Sequence, residues 1–167
     1  MPADLIIVID SREPGVSHPW ESYFTRETVR TALPTGDFSL PGCADWIAIE
    51  RKTLDDLVQC LCSSRERFIR ELQRAARIKD FVVIVESHYS DVLRGNFRSA
   101  MTPKSAWESI VAFQMRFGIP FLFAGSAEIG ATLCESILRR CFLEHNKVVD
   151  EARKAQKRFQ CNTGETL

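Results

Sequence analysis

The chain has 167 residues, 45% of them hydrophobic, and its 22 basic residues balance 22 acidic ones for a formal net charge of zero. Such a composition fits one α/β domain with a core of its own and excludes a disordered chain, a disulfide-stapled miniprotein and whole-molecule attraction to polyanions. Any nucleic-acid surface must therefore be a local patch. The longest apolar runs, Phe81–Val85 and Ile119–Ala124, are too short to span a bilayer, and no signal-peptide pattern follows Met1. A soluble intracellular protein with no membrane partner is expected, cytoplasmic if microbial and nuclear if eukaryotic.

Leu5 to Ile9 is an apolar run ending at Asp10 and predicts a buried strand, followed by the loop Ser11–Trp20. Val29–Leu33 is a weaker strand candidate. Phe38–Leu40 and Trp46–Arg51 flank the turn cluster Pro41-Gly42-Cys43-Ala44-Asp45 and predict a hairpin. Thr53 offers a helix N-cap with Asp55 and Asp56 in the first turn, and a second helix is predicted from Ser64 to about Lys79. Phe81–Glu86 predicts a strand and 87–102 a loop. Pro103 opens a helix that stops at Gly118, Ile119–Ala124 predicts a buried strand, and Ser126 caps a helix to about Leu143. From Glu144 the chain is charged, and it either continues the helix or frays. Residues 1–143 are thus expected to form the folded domain and 144–167 a charged helix or tail. Strands alternating with helices predict a mixed central sheet with helices on both faces.

The six cysteines (43, 60, 62, 134, 141 and 161) follow no metal-ligand spacing, so reduced, mostly buried thiols are expected rather than a zinc site. More informative is the abrupt end of the strand at Trp46–Ile49 in Glu50, Arg51 and Lys52. Residues two apart in a strand share a face, so Glu50 and Lys52 point one way and Arg51 the other. A turn centred near Cys43 sets Asp37 opposite Glu50, and opposed residues of an antiparallel pair project to the same face. Asp37, Glu50 and Lys52 should therefore converge, with Asp10 adding a carboxylate if the first strand lies beside the hairpin. Two close carboxylates repel unless a cation joins them; Mg²⁺ favours oxygen ligands, and a nearby ammonium steadies charge building on a phosphate. The bland alternative is a solvated strand end.

Gly36-Asp37, then Glu50-Arg51-Lys52, then Asp56 after three intervening residues resemble the G-D…E-R-K-x-x-x-D signature of the XPF-type structure-specific endonuclease domain. Asp10-Ser11-Arg12-Glu13 is similar to that family's D-x-R-E after its first strand, and the order of elements matches over roughly residues 4 to 143. The resemblance implies a restriction-endonuclease-like fold (PD-(D/E)XK-type) and cutting of DNA at flaps, forks or bubbles with Mg²⁺ or Mn²⁺. It implies Asp37 and Glu50 as metal ligands, Asp10 as a supporting acid in or near the ligand set, and Lys52 as the catalytic lysine. Arg51 would brace the site or meet a phosphate, and Asp56 would serve either the site or its own helix start. Arg12 and Glu13 would anchor DNA or pair with each other.

On a helical wheel from Ser64, Phe68, Ile69, Leu72, Ala75 and Ala76 gather on one face and Arg67, Arg70, Arg74 and Arg77 on the other, offset only by Glu66 and Glu71. That face is either ordinary solvated surface or, beside a phosphate-cutting site, a set of backbone contacts led by Arg65 and Arg67. Ala106, Trp107, Ile110, Val111, Phe113 and Phe117 follow helical spacing and predict core. The resemblance implies that part of this face forms a homodimer or heterodimer of nuclease domains. Trp20 and Tyr23, in the loop after Asp10, could touch DNA. Relatives carry a tandem helix-hairpin-helix domain after the nuclease, and a chain ending at Leu167 leaves no room for it, so an excised domain or a stand-alone member is expected. The leading expectation is a metal-dependent endonuclease for branched DNA in repair or recombination. The alternatives are a catalytically silent DNA- or partner-binding module and a restriction-type nuclease or junction resolvase of the same fold.

Overall fold

The computed structural model describes residues 5–12 and 19–163, with side chains as far as residue 159. Its centre is a six-stranded mixed sheet of β1 (Ile6–Asp10), β2 (Glu27–Thr31), β3 (Phe38–Ser39), β4 (Ile47–Lys52), β5 (Asp80–Val85) and β6 (Phe121–Phe123), in the order β2-β1-β3-β4-β5-β6. β1 is parallel to β2 and antiparallel to β3. β3 and β4 form the antiparallel hairpin, and β4, β5 and β6 run parallel. Helices α1 (Leu54–Leu61), α2 (Arg65–Ala75), α3 (Tyr89–Arg94), α4 (Pro103–Phe117) and α5 (Ala127–Thr163) cover the sheet.

β4 and β5 read as continuous apolar runs because both of their faces are buried. Their period of two splits the core into two layers. Ala48, Val83 and Val85 pack with Leu57, Phe68 and Phe113 of α1, α2 and α4. Ile47, Ile49, Val82 and Ile84 pack with Trp20, Phe38 and, on α5, Ala131, Cys134 and Leu138. The hairpin thus stands between two filled layers, which leave its charged end at the rim of the core. The sheet flanked by helices matches the restriction-endonuclease-like architecture.

Several expectations are corrected. The 87–102 stretch contains α3, a six-residue helix started by a reciprocal cap between His88 and Asp91 and stopped by Gly95 at φ 72°. It is too short for a periodic apolar signal. The second strand is Glu27–Thr31 rather than 29–33, and α2 ends at Ala75. Of the two courses left open after Leu143, the chain continues the helix: residues 144–163 are rich in Glu, Lys, Arg, Ala and Gln and free of Gly and Pro, so nothing breaks it. Trp20, expected as a candidate DNA contact, is fully buried and stacks on Phe38 at 5.3 Å, with Gly130 of α5 packed so closely that a Cβ there would lie 2.6 Å from its ring. Tyr23 is exposed.

Candidate active site

The β3–β4 ladder pairs Phe38 with Ile49, and Asp37, just before β3, lines the same two clefts as Glu50 of β4. Phe38 and Ile49 point into the layer beneath α5, so Glu50, next along β4, points to the α1–α2 side, where Asp37 shares its cleft. Gly36 makes this approach possible. It adopts φ +83°, and a Cβ on it would meet the Ile49 carbonyl oxygen at 3.1 Å and Ala48 Cβ at 3.2 Å. Only glycine holds that conformation without strain. The Asp37 amide then donates to the Ile49 carbonyl (2.8 Å), and its Oδ2 accepts the Arg51 amide (2.7 Å). The Asp37 carbonyl accepts the Asp10 amide at 2.8 Å, tying the end of β1 to the same point.

Two adjoining clefts open here and share Asp37 and Glu50. One, of about 250 Å³, is lined also by Arg51, Lys52, Asp56, Gln59, Cys60 and Arg67. The other, of about 160 Å³, runs past Asp10, Arg12, Gly36, Glu71 and Arg74. Asp10, Asp37 and Glu50 are all buried. Two ionised carboxylates about 5 Å apart would repel by ~3 kcal/mol at an effective dielectric of about 20. Burial and the Asp37 charge accordingly push the Glu50 carboxyl well above the usual range, against the pull of Lys52, which forms an ion pair with it. Burial acts to lower the Lys52 ammonium, but Glu50 and Glu71 outweigh it and raise its pKa, so the lysine keeps its proton. A cation bound beside Glu50 would favour its ionised form.

Asp10 is engaged differently. Burial acts to raise its pKa, but Arg12 and the Leu33 amide outweigh this and hold it low. Its carboxylate accepts the Leu33 amide at 3.0 Å and pairs with the Arg12 guanidinium at 3.0 Å. Among the described residues no three acids, histidines or cysteines are gathered into a ready metal cage. Asp37 and Glu50 nevertheless supply the hard oxygen donors that Mg²⁺ and Mn²⁺ prefer, and Mg²⁺ completes its shell with waters.

Arg51 does point to the opposite face. Its Nε and Nη2 bond the two oxygens of Glu86 at 2.8 and 2.9 Å, and the indole N–H of Trp20 donates to the same carboxylate. Sequence reasoning offered bracing as one of two roles for Arg51 but missed its partners, because Glu86 and Trp20 meet it only in the folded sheet. Asp56 lines the cleft and also caps its helix: its amide donates to Thr53 Oγ1, whose hydroxyl donates to Asp56 Oδ2. Of the expected DNA contacts, Arg67 lines the Lys52 cleft and Arg12 the Asp10 cleft. Arg65 turns away, bonding the Leu61 carbonyl and Ser109 and lying 4.7 Å over the Phe113 ring. Glu13 lies outside the described residues. Glu71 and Arg74 were read only as members of a charged face; the structure puts both at the site.

Comparison with known proteins follows the same geometry. The ERCC4 domain model matches residues 9–136. The structure of XPF from Aeropyrum pernix superposes with a TM-score of 0.66 at 24% identity, covering 96% of this chain and 75% of that one. That of XPF from Aeropyrum pernix in complex with DNA gives 0.63 at 27%, covering 81% and 64%. A Methanocaldococcus jannaschii protein carrying the name ATP-dependent RNA helicase MJ1505 is 26% identical over 143 residues, which are 86% of this chain but 16% of that protein.

Proposed function

Because the chain belongs to the ERCC4-domain family, whose model spans residues 9–136, we propose that it hydrolyses phosphodiester bonds in branched DNA with the help of Mg²⁺ or Mn²⁺, in repair or recombination. The observation that carries this reading is the buried pair Asp37 and Glu50 sharing a cleft with the protonated Lys52. The superposition on an XPF complex with DNA supports DNA as the polymer.

In this reading Asp37 and Glu50 hold the cation, with Asp10 beside them if Arg12 releases it. The bound ion supplies Lewis acidity at the phosphate and a more acidic water. Lys52, already charged, offsets the negative charge that grows on the phosphate in the transition state, where a cation in a dry cleft acts most strongly. Arg51 does not reach substrate; clamped by Glu86, it keeps its own amide on Asp37 Oδ2 and so fixes the carboxylate. Arg67 and Arg12 meet backbone phosphates and position a duplex without reading its sequence. Pairing of two nuclease domains through α4, whose Met115 and Val111 side chains are exposed, belongs to the same proposal.

The test incubates the chain with flap, fork and duplex DNA in Mg²⁺ or Mn²⁺ and in EDTA, beside Asp37→Ala and Lys52→Ala. Cleavage of flaps or forks that needs the metal and both residues is expected. A wild type that binds forks and never cuts makes the chain a silent binding module. Cutting confined to unbranched duplex makes it a restriction-type enzyme.

A further inference from the structure

Helix α2 presents Arg67, Glu71 and Arg74 to the two clefts, the spacing i, i+4, i+7 that keeps residues on one helical face. On an exposed helix a glutamate flanked by arginines four residues before and three after it normally pairs with one of them. Glu71 does not: among the described residues it makes no ion pair and no hydrogen bond. It is only half-exposed, and it lines the cleft with Asp10, Asp37 and Glu50, close enough for its charge to act on Glu50 and Lys52. Asp10, another acid of that cleft, is engaged by Arg12 and the Leu33 amide. A half-buried carboxylate that declines two neighbouring guanidiniums and lines an acidic cleft within electrostatic reach of Lys52 is placed for a cationic or water-borne partner.

We propose that Glu71 is a further functional carboxylate of the site: it accepts hydrogen bonds from water bound to the divalent cation at Asp37 and Glu50, anchoring that cation from the α2 side. This rests on the metal-dependent reading above. Glu71 lies outside the hairpin, and Mg²⁺ keeps several waters through which such a carboxylate is reached. No bond is made or broken at Glu71; it holds water and adds negative charge where the cation sits.

The experiment is a calorimetric Mn²⁺ titration of the metal-free full chain without DNA, comparing wild type, Glu71→Gln, Glu71→Asp, Asp37→Asn and the exposed Glu66→Gln. Thermal unfolding of each confirms folding. Glu71→Gln should weaken Mn²⁺ about tenfold, Glu71→Asp should recover part of that, and Glu66→Gln should match wild type. Fork cleavage at subsaturating Mn²⁺ should fall in the same order. If wild type binds Mn²⁺, Asp37→Asn does not, and Glu71→Gln is indistinguishable from wild type, this inference alone fails. If wild type binds no Mn²⁺, the metal-dependent reading fails and takes this one with it.

Discussion

Replacing Glu86 with alanine removes the one carboxylate that serves both Arg51 and Trp20. The pair is largely but not fully buried, with side chains 18% and 12% exposed, and is bidentate at 2.8 and 2.9 Å. Breaking such a pair from one side leaves an uncompensated guanidinium and costs about 3–5 kcal/mol. Loss of the hydrogen bond from the buried Trp20 indole N–H adds about 1 kcal/mol. At roughly 2–4 °C per kcal/mol for a chain of this size, a loss of about 4 kcal/mol lowers Tm by at least about 8 °C. Circular dichroism follows unfolding, and tryptophan fluorescence reports on the indole. Glu86→Gln keeps an acceptor for the indole and should lose less. Glu86→Gln combined with Arg51→Met should regain part of the loss, since replacing both charges removes the stranded one. Glu86→Ala melting within about 2 °C of wild type would refute the brace.

Gly36→Ala forces a Cβ against the Ile49 carbonyl at positive φ; it should cost about 1–3 kcal/mol and weaken Mn²⁺ binding, and unchanged Tm and affinity contradict it. Glu50 has a raised pKa in the folded chain, so the native state holds a proton that the unfolded chain has released above about pH 4.3. That stability is complete at lower pH and is lost as pH rises towards the raised value. Metal-free Tm should therefore decline upward from about pH 5, and Glu50→Gln should flatten the profile; parallel profiles for the two proteins count against the assignment. Arg67→Ala should weaken fork binding equally across sequences and lower the slope of log K against log salt by about 1. Arg65→Ala should leave that slope alone and lower Tm, because Arg65 is docked on Phe113; a changed slope for Arg65→Ala reverses the two roles.

What was legible in the sequence is what local rules govern. The Trp46–Arg51 run and the Pro-Gly turn announce the hairpin, and the period of two separates Glu50 and Lys52 from Arg51 without any structure. The family signature carried by Gly36, Asp37, Glu50, Lys52 and Asp56 is legible for the same reason. Less visible is anything that depends on which elements become neighbours. Glu86 reads as the last residue of a strand until β5 is set parallel to β4, and Trp20 reads as a loop aromatic until it stacks on Phe38. Asp10 looks available until the Leu33 amide and Arg12 take it. Arg65 and Arg67 are two residues apart on one helix and face different surroundings, a distinction only the packing of α4 makes. Glu71 was hidden by its own neighbours, since a glutamate among arginines is ordinary surface by composition.

The most direct test of the central claim is the single-turnover rate of fork cleavage by Asp37→Asn at a Mn²⁺ concentration that saturates wild type, compared with wild type under the same conditions. The account predicts a rate about 10²-fold lower or more, with fork binding retained through the arginines. Cleavage by Asp37→Asn at the wild-type rate would contradict it and move the reaction away from the hairpin.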